Sequence, residues 1–138
     1  MGYFSDVAIA IYGDEDQMTA FIAATRLKDN VSKVFSECEI YPYQQCFNRG
    51  KSTKPYIMLF AQFDDVKWYD GNEDVDRWMK FVGLAQQDWI EFINTEFVRV
   101  GEDNDDVERQ QTGNDLAGHL SVRREVYTDL PRKEEKAL

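Results

Sequence analysis

The chain has 138 residues, with 26 acidic and 16 basic side chains and a formal net charge of −10 at neutral pH. Hydrophobic residues make up 43% of the chain and aromatic residues 14%, which suffices for an ordinary core and argues against wholesale disorder. This length favours a single domain over residues 1–130, followed by a charged tail over residues 131–138. The acidity argues against direct binding of nucleic acid, because contacts to phosphates need a surface rich in lysine and arginine.

The N-terminus shows no targeting signal. No apolar run approaches the roughly 18 residues of a membrane span, and no basic segment precedes the first apolar stretch. Gly2 does not fit a myristoylation motif, because Asp6 stands where that motif needs Ser or Thr. We therefore expect a cytoplasmic protein without a membrane partner. Cys38 and Cys46 are too few for a disulfide framework and are expected to be reduced.

The first predicted element is a strand from Tyr3 to Tyr12, and its two apolar faces are typical of a central strand. A helix is predicted after Gly13, because acidic residues suit its start and apolar residues recur near helical spacing. Those apolar residues are Met18, Phe21, Ile22 and Leu27. The next strand covers residues 38–47, and Pro42 predicts that it lies at a sheet edge, because proline cannot donate to a ladder.

The second half of the chain begins with a polar turn over residues 48–55, followed by a second central strand from Tyr56 to Phe63. A second helix is predicted to begin near Glu73, with its end left open between Gly83 and a continuation through Trp89 and Ile93. The apolar face of that helix carries Val75, Trp78, Met79 and Val82. A fourth strand is predicted to end at Gly101, and residues 102–114 form a polar loop.

The order of these elements is β-α-β-β-α-β. It predicts an α+β fold of the ferredoxin-like kind, an antiparallel sheet with two helices on one face. The segment from Leu120 to Tyr127 is predicted to be a fifth strand or an extended arm that adds to the sheet.

The sequence contains no complete motif for catalysis or metal binding. Residues 50–53 copy the end of a phosphate-binding loop, but Gln45 stands where that motif needs glycine and a strand follows instead of a helix. His119 is the single histidine, no serine lies in a nucleophile elbow, and the acidic runs lack calcium-loop spacing. We therefore assign no catalytic residue, no metal site and no cofactor.

Two acidic segments, Asp64 to Asp76 and Glu102 to Glu108, follow predicted strands and are expected to lie exposed together at one end of the sheet. Trp68 and Tyr69 beside the first segment either fill the layer between helix and sheet or contact a partner, because large aromatic side chains are costly to leave in water. Arg99, on an apolar strand, is expected to pair with Glu102 or with one of the neighbouring Asp64 and Asp65. The candidate partner-binding residues are Asp64, Asp65, Trp68, Tyr69, Asp70, Glu102, Asp103, Asp105, Asp106 and Glu108.

Three short motifs resemble those of a widespread group of small bacteriophage and prophage proteins. The motifs are the start from Met1 to Val7, the triplet Lys67-Trp68-Tyr69, and the run from Arg99 to Glu102. Proteins of that group begin Met-Gly-Tyr-(Tyr/Phe)-Ser-Asp-Val and carry Lys-Trp-Tyr and Arg-(Ile/Val)-Gly-Glu in the same order. The resemblance covers residues 1–108 and implies a phage origin without implying a mechanism.

The leading hypothesis is a non-enzymatic phage accessory protein that binds and inhibits a host protein. The acidic surface would meet a basic surface on that partner, a defence or nucleic-acid-processing enzyme. One alternative is a binder that sequesters a nucleotide signal, by stacking a base on aromatic rings and holding phosphate with basic side chains. Its candidate ligand-binding residues are Arg49, Lys51, Lys54, Trp68, Tyr69 and Arg99. A structural component of the virion is the other alternative.

Overall fold

The computed structural model describes residues 4–28, 31–47, 52–69, 71–103, 105–113 and 120. The strands are β1 (Ser5–Asp14), β2 (Glu39–Phe47), β3 (Ser52–Val66), β4 (Asn94–Val100) and β5 (Val107–Thr112). The helices are α1 (Glu15–Arg26) and α2 (Glu73–Gly83), with a 3-10 turn at Ser32–Ser36 and a π-helical turn at Leu84–Asp88. The strands form one antiparallel sheet in the order β2-β3-β1-β4-β5, which confirms the predicted α+β class.

Strand β1 lies at the centre of the sheet, between β3 and β4, as its two apolar faces predict. Ile9 and Ile11 face the helices and pack in the main core with Phe21 of α1 and Trp78 of α2. On the opposite face a second cluster contains Ala10, Tyr12, Tyr56 and Met58, with Phe60 and Leu120 packed against it. Both faces of β1 are therefore buried, which explains why its sequence does not alternate between apolar and polar residues.

Both predicted helices are present. Helix α1 buries Met18 and Phe21, whereas Leu27, the last of the apolar residues at helical spacing, lies just past the end of the helix and is 84% exposed. Helix α2 begins at Glu73 after Asn72, whose side-chain oxygen accepts hydrogen bonds from the backbone N–H groups of residues 74 and 75. No helix among the described residues is long and apolar enough to cross a membrane.

The end of α2 was left open by the sequence. The α-helix stops at Gly83, passes into the π-helical turn, and does not continue through Trp89 and Ile93. Ile93 is 1% exposed and leads directly into β4, so its burial belongs to the sheet side of the core. The apolar residues past Gly83 therefore continue the helical spacing only because the end of α2 and the start of β4 pack into the same core.

The hairpin of β2 and β3 is longer than predicted. Strand β2 pairs with β3 alone and lies at the sheet edge, which confirms the inference from Pro42. Strand β3 already begins at Ser52, so residues 52–55 belong to a strand and the prediction of a turn there was wrong. The physical reason is ladder pairing, since Pro55 lies opposite Gln44 and Ser52 opposite Phe47.

The fifth strand is β5, in a segment for which the sequence predicted a polar loop. It pairs with β4 from Val100↔Val107 to Thr95↔Thr112. Pairing with the open edge of β4 satisfies the backbone hydrogen-bonding groups of this polar segment. The segment has no apolar pattern from which a strand could be predicted. Of the predicted arm only Leu120 is described. Residues 121–127 of that arm and the tail 131–138 lie outside the described residues.

The turn after β5 depends on Gly113. Its φ of +119° disfavours other residues, and a Cβ there would come within 2.8 Å of the Asn94 Cα. We expect Gly113→Ala to lower the free energy of unfolding by about 2 kcal/mol, from backbone strain and this clash together. Gly71→Ala is the matched control, because Gly71 also has positive φ, +92°, but nothing lies within 4 Å of an added Cβ. Equal losses for the two variants in urea unfolding would contradict the steric part of this prediction.

Candidate functional site

The two acidic segments lie at the same end of the sheet. Strand β1 pairs Ser5 with Val66 of β3 and Asp6 with Val100 of β4, so the last residues of β3 and β4 flank the start of β1. The exposed carboxylates that follow from this register form a surface that we call the acidic end. It consists of Asp64, Asp65, Glu102, Asp103 and Asp105, all exposed to solvent.

Hydrogen bonds from the start of β1 hold both segments in place. The backbone N–H of Asp65 donates to the Asp6 Oδ1 at 2.8 Å, in a residue whose φ is +60°. The backbone N–H of Phe4 donates to the Glu102 Oε2 at 2.9 Å. The two segments are thus connected through the start of β1, and the sheet register places them side by side.

Arg99 does not pair with the residues that the sequence suggested. Its guanidinium lies 2.7 Å from the Asp106 Oδ1 and 3.2 Å from the Glu108 Oε1, and it also donates to the Ser5 hydroxyl at 3.1 Å. The expected pairing with Glu102, Asp64 or Asp65 was wrong, because β5 places Glu108 directly opposite Arg99 in the ladder. The hydrogen bond to Asp106 is the main reason that the pKa of Arg99 is raised above its ordinary value. Asp106 and Glu108 therefore belong to an ion-pair cluster around Arg99.

Trp68 and Tyr69 have different surroundings. The Trp68 ring packs against Phe63, with centroids 5.9 Å apart, and against Phe97, with centroids 6.4 Å apart, so it fills the layer beside the helix. Tyr69 is 42% exposed. Of the two roles considered for this pair, packing describes Trp68, and Tyr69 is the exposed large hydrophobic residue of the two.

Three of the candidate ligand-binding residues, Trp68, Tyr69 and Arg99, line one groove of about 390 Å³. The groove is lined by Trp68, Tyr69, Met79, Phe97, Arg99, Asp106 and Glu108. Lys54 lies far from this groove, because it is near the start of β3 and twelve residues before Val66, roughly 40 Å along an extended strand. Arg49, Lys51 and Asp70 lie outside the described residues.

A buried carboxylate on the sheet face opposite the helices was not identified from the sequence. Glu96 is 1% exposed, accepts a hydrogen bond from the Tyr12 hydroxyl, and accepts another from the Leu120 backbone N–H at 2.9 Å. The available signal was an acidic residue within an apolar strand, which needs a partner when buried. Its tyrosine partner is 84 residues distant in the chain and was not visible as a local pattern.

The surroundings of Cys38 disfavour the thiolate form of its side chain. Burial, and secondly the negative charge of Glu37, raise its pKa from 9.0 to about 11. In a Cys46→Ser variant we expect a small thiol reagent at pH 8 to label Cys38 about 100-fold more slowly in the folded than in the urea-unfolded protein, because the thiolate is the reacting form. Since the folded pKa is the higher one, the group's contribution to stability is full below pH 9 and is lost as the pH rises towards 11. Equal labelling rates in the two states would contradict the raised pKa of the half-buried Cys38 thiol.

Within the described ranges, no group of three or more His, Cys, Asp or Glu side chains is arranged to hold a metal ion. Comparison of the chain with models of protein families, with curated proteins and with solved structures found no match.

Proposed function

We propose that the protein is a non-enzymatic phage accessory protein that binds and inhibits a host protein in the host cytoplasm. The observation that carries the proposal is the acidic end, where two exposed carboxylates from the last residues of β3 and three from the connection between β4 and β5 lie at one end of one sheet. A protein surface of one sign attracts a partner surface of the opposite sign and speeds their association. Enzymes that process nucleic acid have such basic surfaces, and an acidic protein bound there would exclude the phosphate backbone.

A ferredoxin-like arrangement of the first four strands and both helices is part of this proposal. The order β2-β3-β1-β4 and the helices after β1 and β3 support it, with β5 as an addition at one edge. In this arrangement the loops after β3 and β4 share one end of the sheet, which is what the acidic end requires.

The nucleotide alternative has weaker support from the geometry. Trp68, Tyr69 and Arg99 do line one groove, but the Arg99 guanidinium is already bound by two carboxylates. A phosphate entering the groove would face Asp106 and Glu108 and would be repelled by them. No contact of the described residues specifically favours the virion alternative over the inhibitor.

The test is a charge reversal at the acidic end. The variant carries Asp64→Lys, Asp103→Lys and Asp105→Lys, and leaves Asp106 and Glu108 in place because they hold Arg99. The exposed residues contribute only about 0–1 kcal/mol each to stability, so the variant should fold. We expect the wild-type protein to capture a stoichiometric partner from host lysate at low salt and to inhibit that partner, and the variant to do neither.

The matched control reverses three exposed carboxylates elsewhere, through Glu39→Lys, Asp88→Lys and Glu91→Lys. It changes the net charge by the same amount and should retain the partner. If the acidic-end variant folds and captures the same partner with wild-type affinity, the proposal for this surface fails. If the two triple variants lose binding equally, net charge rather than the acidic end is responsible.

A further inference from the structure

A second cavity, separate from the acidic end, lies between the 3-10 turn, the end of β3 and the start of α2. Its volume is about 270 Å³, slightly below the lower bound of about 300 Å³ for ordinary ligand pockets, which suits a molecule of one ring with a short substituent. Its apolar lining consists of Phe63, Val66, Trp68, Val75 and Trp78. The polar groups at the cavity are Glu37, Lys67, Asn72 and Asp74.

The aromatic wall of this cavity is continuous. Phe63 lies between two tryptophans, with its centroid 5.9 Å from that of Trp68 and 5.7 Å from that of Trp78. The Trp68 pair is tilted by 31° and the Trp78 pair is close to edge-on, at 70°. A planar ring entering the cavity would meet faces and edges of the kind that aromatic pairs prefer.

Three of the four polar groups already have partners. The Asn72 side chain caps α2, and the Asp74 carboxylate lies 2.7 Å from the Arg77 guanidinium. The Lys67 ammonium lies over the Phe4 ring, 5.7 Å from its centroid. The Asn72 and Asp74 side chains therefore present no unpaired charge to a molecule in the cavity, whereas the Lys67 ammonium keeps its positive charge and lies against the Phe4 ring.

Glu37 is different. Its Oε1 accepts a hydrogen bond from the Trp78 Nε1 at 2.8 Å, which fixes the carboxylate beside the aromatic wall. Among the described residues Glu37 has no ion-pair partner, so no cationic side chain there lies within ion-pair distance of its carboxylate. The cavity thus combines an aromatic wall with one carboxylate that the Trp78 indole orients.

We propose that this cavity binds a small aromatic cation, a single ring that carries a protonated amine on a short chain. The ring packs against Phe63, Trp68 and Trp78, and the ammonium group bonds to the Glu37 carboxylate. Tryptophan faces also attract a cation directly, which reinforces the preference for positive charge. The site is independent of the acidic end and does not depend on the proposed inhibition of a host protein.

The test is a titration of the whole protein with phenethylamine, followed through the indole N–H signals of its three tryptophans by NMR. The Trp68 and Trp78 signals should shift saturably. The Trp89 signal should not, because Trp89 packs against Phe21 and Phe92 and does not line the cavity. Trp89→Phe assigns that signal.

Two comparisons isolate the charge. The neutral 2-phenylethanol and the variant Glu37→Gln should each weaken binding about tenfold, the loss of one charged hydrogen bond. Glutamine keeps an acceptor for the Trp78 indole, so the variant should fold, and Glu39→Gln is the control that removes a nearby exposed charge without effect. Absence of a saturable shift, equal affinity for the alcohol and the amine, or wild-type affinity of Glu37→Gln would each overturn the proposal. The comparison of 2-phenylethanol with phenethylamine uses the wild-type protein, so it tests the proposal whether or not Glu37→Gln folds.

Discussion

Trp78→Ala is expected to lower the free energy of unfolding by about 3–5 kcal/mol, as for other large aromatic residues removed from a core. The side chain is 1% exposed. Its ring lies 5.7 Å from those of Phe63 and Phe81, and its indole N–H bonds to Glu37. The substitution therefore leaves a cavity between α2 and the sheet and also frees the carboxylate that the indole orients.

Trp78→Phe separates these two contributions. Phenylalanine retains an aromatic ring in the core but has no N–H to donate to Glu37, so we expect a smaller loss of about 1–2 kcal/mol. Urea unfolding followed by far-ultraviolet circular dichroism measures both variants. An alanine variant within about 1 kcal/mol of the wild type would show that the core around Trp78 is not packed as described.

The strands and helices with strong apolar patterns were predictable from the sequence. β1 and β3 are apolar on both faces because each is paired on both sides and packed on both surfaces, and this shows directly in their composition. β5 has no such pattern. Its residues are mostly exposed, and it is held by the ladder with β4 and by the pair between Glu108 and Arg99. An edge strand of this kind is specified by its neighbour, so its own sequence resembles a loop.

The candidate site was predictable in position but not in pairing. The topology alone requires the loops after β3 and β4 to meet beside the start of β1, and the register has them there. The partners of Arg99 depend on β5, and the orientation of Glu37 depends on Trp78, 41 residues later. Both contacts join distant segments, and no local spacing encodes them.

Arg99→Met is expected to lower the free energy of unfolding by about 2–3 kcal/mol, because the substitution leaves Asp106 and Glu108 facing each other without a cation. The Arg99 side chain is 17% exposed, so water replaces the lost contacts only in part. The stability of Arg99→Lys should lie between that of the wild type and that of Arg99→Met. An ammonium keeps the charge but cannot bond Asp106 and Glu108 in the geometry of the guanidinium. Urea unfolding of the wild type, Arg99→Lys and Arg99→Met measures this order of stability.

A double-mutant cycle decides whether Asp106 belongs to this cluster or to the acidic end. Asp106→Asn should be costly in the wild-type background and nearly neutral in Arg99→Met, with a coupling energy of about 1–2 kcal/mol. Asp105→Asn is the matched control, because Asp105 is exposed and forms no ion pair with Arg99, and its coupling should be close to zero. A coupling for Asp106 as small as that for Asp105 would mean that the ion pair does not hold β5 against β4. Asp106 would then count among the carboxylates of the acidic end, and the charge reversal proposed for that surface would have to include it.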